Sequence, residues 1–132
     1  MAGTIVVDTI TASSGVLATQ NGMTGIAKAW VQLTGSATSP VINGSFNISS
    51  ITRNSIGDYT FNFTTAMPNA NYSVVAGTQI SLAVNYIFAI VFGQASAPYY
   101  QAPTASAFKV SFINTGTALA DPQLACIAVF GS

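Results

Sequence analysis

Histidine and glutamate are absent from this chain, and only six of its 132 side chains carry a formal charge: Asp8, Lys28, Arg53, Asp58, Lys109 and Asp121. An ordinary globular domain has roughly a quarter of its residues charged. Without histidine, the base that activates a serine or cysteine nucleophile is missing, so Ser-His-Asp and Cys-His catalysis are excluded in their usual form. One cysteine and no histidine cannot supply the ligands of a zinc site. The three aspartates stand far apart in sequence, and no calcium loop, G-x-G-x-x-G or Gly-Lys-Ser pattern accompanies them. Asp58 and Asp121 lie in Gly-Asp and Asp-Pro turn contexts, where aspartate usually serves the backbone. No catalytic residue, metal ligand or cofactor is expected. Three charges of each sign, none adjacent to another, make no basic stripe. That argues against nucleic acid and anionic membranes as partners.

Cys126 is the sole cysteine and has no intrachain disulfide partner. The usual burial of a free cysteine predicts a place in the core. The opening residues, MAGTIVVD, have neither a basic stretch nor a long apolar one, so they do not read as a secretory signal, and synthesis in a cytoplasm is expected. Four N-x-S/T triplets, starting at Asn43, Asn47, Asn62 and Asn71, are accordingly read as unmodified. Even the longest unbroken apolar runs, such as residues 86–92, are far below the roughly 18 residues that suggest a membrane helix.

What is present is apolar and β-forming. Half the residues are hydrophobic, enough for one sizeable core at this length. Period-two patterns of β-branched and aromatic residues recur, and no window carries a sustained helical face. Strands are expected at residues 26–33, around Phe46 and Ile48 with a bulge near Ser49 and Ser50, at 59–63, 72–76, 84–92, 108–112 and 124–130. The segments flanking Gly57 should form a hairpin. Residues 84–92 are apolar on both faces and, like 124–130, read as a central strand. Residues 34–44 and 95–105 read as loops, the second carrying Tyr99 and Tyr100. The expected fold is all-β: a β-sandwich or jelly roll of about seven or eight antiparallel strands over residues 26–132, preceded by an extended N-terminal arm over residues 1–25.

A surface so poor in charge favours an oligomer or a component of a larger assembly. Within the arm, Ile5, Val6, Val7 and Ile10 suit pairing with a sheet edge of a neighbouring chain. Tyr99, Tyr100 and Trp30 are the aromatics suited to stacking on a sugar ring.

The pieces KAWV, SFNISSIT, GDYTFNF and AMPNANY, in that order within residues 25–75, resemble a module of virion structural proteins of tailed bacteriophages. The closing CIAVFG and the opening TIVVDTITASSG are similar to segments in the same group. The resemblance implies a trimeric, β-rich, non-enzymatic component of the virion surface. The chain lacks the long repetitive shaft of a typical tail fibre. The leading expectation is therefore a capsid decoration, or cement, protein bound to the major capsid protein or other virion proteins. The alternative is a tail-fibre or receptor-binding tip that contacts a host glycan.

Overall fold

The computed structural model describes residues 26–35, 38–79, 87–92, 101–115 and 118–131. The proposed N-terminal arm lies outside them. Among the described residues there is no helix, and eight strands form: β1 (Ala29–Thr34), β2 (Val41–Phe46), β3 (Ile48–Ser55), β4 (Asp58–Phe63), β5 (Ser73–Thr78), β6 (Ile87–Val91), β7 (Ala107–Asn114) and β8 (Ala125–Phe130). They make two four-stranded sheets, ordered β2-β1-β8-β5 and β3-β4-β7-β6. Every pairing is antiparallel.

Alternation along the strands sets what is buried. In β1, Ala29, Val31 and Leu33 point inward, and in β8, Ala125, Ile127 and Val129 do the same. The second sheet contributes Tyr59, Phe61 and Phe63 from β4 and Phe108, Val110 and Phe112 from β7 to the same buried cluster. Aliphatic side chains of one sheet thus share a core with the mostly aromatic ones of the other, a mixture of sizes that favours close packing. Phe61 and Phe108 are register partners, and their rings stack at 5.0 Å. Tyr59 meets Phe112 edge to face at 5.4 Å. Each fully buried side chain of this kind contributes roughly 1.5–3 kcal/mol.

Gly57 turns the β3–β4 hairpin with φ of 66°, and a register shift between Ile48 and Ser50 marks the expected bulge. Three other expectations need correction. Phe46 and Ile48 do not share a strand: Asn47, with φ of 55°, passes the chain from one sheet to the other. Asparagine tolerates that left-handed backbone, and its side chain holds the crossing in place. Its Nδ2 donates to the carbonyls of Lys28 and Thr65, each at 3.1 Å, and its Oδ1 accepts from the Thr65 amide at 2.7 Å. Residues 41–44, read as loop, begin strand β2, whose pattern was obscured by Asn43 and Gly44. The 84–92 strand, described from Ile87, ends its sheet's order among the described residues instead of lying centrally. β8 is central as expected, flanked by β1 and β5.

Candidate functional site

The outward residues of sheet β2-β1-β8-β5 are fixed by the same alternation that builds the core. Because Val31 and Leu33 point inward, Trp30 and Gln32 point outward; because Ile127 and Val129 point inward, Cys126 and Ala128 point outward. Strand register then aligns them into two rungs. One runs Phe46, Trp30, Ala128, Val75, and the other Gly44, Gln32, Cys126, Gly77. In the first, a small residue on β8 sits between a large aromatic on β1 and a β-branched residue on β5.

The result is an apolar trough of about 510 Å³ along β8, with Trp30 and Val75 as walls and Ala128 and Cys126 in its lining. Trp30 is 44% exposed and Val75 60%. Gly44 lies beside the indole: a Cβ there would be in van der Waals contact, at 3.5 Å, with two of its ring carbons. No charged side chain lines the trough. Its side-chain polarity is confined to the Gln32 amide, the indole N–H and the Cys126 thiol, and Gln32 Nε2 lies 3.7 Å from Cys126 Sγ. Cys126 is exposed. The core position expected of it is corrected by strand parity, which outranks the general tendency of cysteine to be buried.

Four of the charged groups form two ion pairs elsewhere. Asp121 accepts from Arg53 Nε at 3.0 Å, Arg53 Nη2 at 2.7 Å, the Gly57 amide at 2.9 Å and the Tyr59 hydroxyl at 2.6 Å. Burial disfavours its charge, yet the hydrogen bonds from Arg53, Tyr59 and Gly57 prevail and hold the carboxyl below its ordinary range. Burial, reinforced by the bond to Asp121, raises the Tyr59 phenol well above its ordinary value. Asp121 therefore does serve a turn, through Gly57, but with its lone pairs committed to four donors it is a poor proton acceptor for any substrate.

Asp58 departs from the turn role expected of it. Its Oδ2 lies 2.9 Å from Lys109 Nζ, with both side chains buried. Asp58 Oδ1 and the Oγ of its register partner Ser111 are buried without a hydrogen-bond partner among the described residues. No group of three or more histidine, cysteine, aspartate or glutamate side chains gathers among the described residues.

The residues singled out for partner contact, Ile5, Val6, Val7, Ile10, Tyr99 and Tyr100, lie outside the described residues. Of the aromatics read as contact residues, Trp30 is the one placed, and it stands at an exposed surface. Sequence reasoning missed Val75 and the small residues beside it. Their outward parity was legible, but their alignment with Trp30 depends on strands 45 or more residues apart. Comparison with family models, curated proteins and solved structures returns no match.

Proposed function

We propose that this chain is a non-enzymatic structural protein of a tailed-bacteriophage virion, a capsid decoration protein that binds the outer capsid surface and reinforces contacts between capsid subunits. The family comes from the resemblance of residues 25–75. The structural observation that supports an assembly role is the uncharged outer face carrying exposed Trp30 and Val75. Contiguous exposed apolar surface of this kind marks a contact site. Two sheets sharing one core are in keeping with a β-sandwich module, presented as a homotrimer on the virion surface after synthesis in the host cytoplasm. The major capsid protein, or another virion protein, is its partner.

A tail-fibre or receptor-binding tip is the second reading, and the exposed indole of Trp30 favours it, because an aromatic face can stack on a sugar ring of a host glycan. Copy number separates the two. Quantitative mass spectrometry of purified virions is expected to give hundreds of copies per particle for a decoration protein. A few dozen would overturn that reading in favour of the tail.

A further inference from the structure

We infer that the trough on the outer face of sheet β2-β1-β8-β5 seats residues 4–10 of a neighbouring copy of this chain, with Ile5 and Val7 entering it. Residues 4–10 lie outside the described residues, so the inference joins their sequence to the geometry of the trough. It concerns contact between copies and stands whether the protein sits on the capsid or the tail.

The occupant must be uncharged where it touches, since no charged side chain in the lining compensates a buried ion. Residues 4–10 read TIVVDTI, with Asp8 as the single charge. In an extended segment, alternation puts Ile5 and Val7 on one face and Val6, Asp8 and Ile10 on the other. Only the first face enters without taking the Asp8 carboxylate out of water.

Spacing agrees as well. Residues two apart on a strand are about 6.6 Å apart, and this holds for Ile5 and Val7 as it does for Ala128 and Cys126. The two side chains therefore match Ala128, between Trp30 and Val75, and Cys126, between Gln32 and Gly77. A flat contact between two whole faces fits less well. Six-residue strands at about 3.3 Å per residue, four abreast at about 4.8 Å, cover roughly 400 Å². That is about half of what each partner gives to a standard interface.

Trp30 and Val75 are exposed, and a surface so poor in charge favours association between copies, so the donor is assigned to a second chain. Reach permits it: residues 11–25 span up to about 50 Å when extended, and they rejoin the described structure at Ile26, just before β1.

Cys126, as the sole thiol, allows a direct test. Chains carrying Cys126→Ser together with Ile5→Cys, Val6→Cys or Val7→Cys are each mixed with the unaltered chain and mildly oxidised, and disulfides between unlike chains are identified by peptide mass. Position 5 or 7 is expected to link to Cys126 several-fold more than position 6, and Ala128→Phe in the acceptor chain should reduce that link to the level of position 6. Equal linkage from all three positions, no linkage, or linkage indifferent to Ala128→Phe overturns the inference. So does a disulfide that forms within a chain carrying both Val7→Cys and Cys126 but never between mixed chains.

Discussion

Arg53 and Asp121, 68 residues apart in sequence, meet through two parallel hydrogen bonds of 3.0 and 2.7 Å. The pair joins the β3–β4 hairpin to the segment leading into β8. Asp121 also receives the Tyr59 hydroxyl and the Gly57 amide, so one carboxylate fixes a turn, a core aromatic and a cation together. Asp121→Ala strands all three donors. It is expected to lower stability by about 2–3 kcal/mol, measured by urea unfolding. A loss below about 0.5 kcal/mol would mean the pair behaves as an ordinary surface bridge.

Acid should weaken the fold through the same group. The folded-state pKa of Asp121 lies below its ordinary value, so its stabilising contribution is present above that ordinary value and disappears as pH falls through the folded one. Unfolding midpoints are expected to drop progressively from about pH 5 towards pH 2. Asp121→Asn should show a shallower decline. Equal slopes for the two proteins would assign acid sensitivity to other carboxyls.

Alkali acts with the opposite sign. Burial pushes the Tyr72 phenol up to about 12, while its hydroxyl donates to the Thr104 and Ala107 carbonyls at 2.8 and 3.1 Å. Stability from this group holds below the ordinary tyrosine value and is lost as pH rises through the folded one. Tyr72→Phe should lessen the decline in unfolding midpoint above about pH 10. An unchanged alkaline profile would show that Tyr72 ionises with little hindrance in the folded chain.

Two glycines should respond oppositely to alanine. At Gly57, φ is 66° and a Cβ would come within 2.5 Å of the Phe112 carbonyl oxygen and 2.6 Å of the Ala120 nitrogen, both backbone atoms. Gly57→Ala is expected to cost about 3 kcal/mol or more. At Gly77 nothing lies within 4 Å of an added Cβ, and Gly77→Ala should be neutral or stabilising by up to about 1 kcal/mol. Thermal unfolding of both variants tests the contrast, and a tolerated Gly57→Ala would contradict the hairpin geometry.

Lys109→Met should be among the costliest single changes. It leaves the Asp58 carboxylate, in a residue 4% exposed, without its cation, and about 3–5 kcal/mol is the usual penalty. Adding Asp58→Asn to Lys109→Met removes the stranded charge and should recover part of that loss. If the double variant is as unstable as the sum of the two single ones, the groups are not coupled.

Strand existence and strand parity were written locally in the sequence. Tyr59, Phe61 and Phe63 alternate with polar residues, and the residues of β1 and β8 divide into two faces in the same way, because successive side chains of any extended backbone point to opposite sides. The hairpin at Gly57 was legible for a similar reason: few residues other than glycine adopt its backbone conformation. What only the tertiary structure decided is which strands are neighbours and which of a strand's two faces turns inward. Asn47 divides an apparent strand between two sheets, Cys126 faces outward, and Arg53 finds Asp121 across the chain. Trp30, Ala128 and Val75 form one rung because β8 pairs with both β1 and β5. Alternation is a property of one backbone segment, whereas neighbour order is set by burying one shared core, to which residues distant along the chain contribute together.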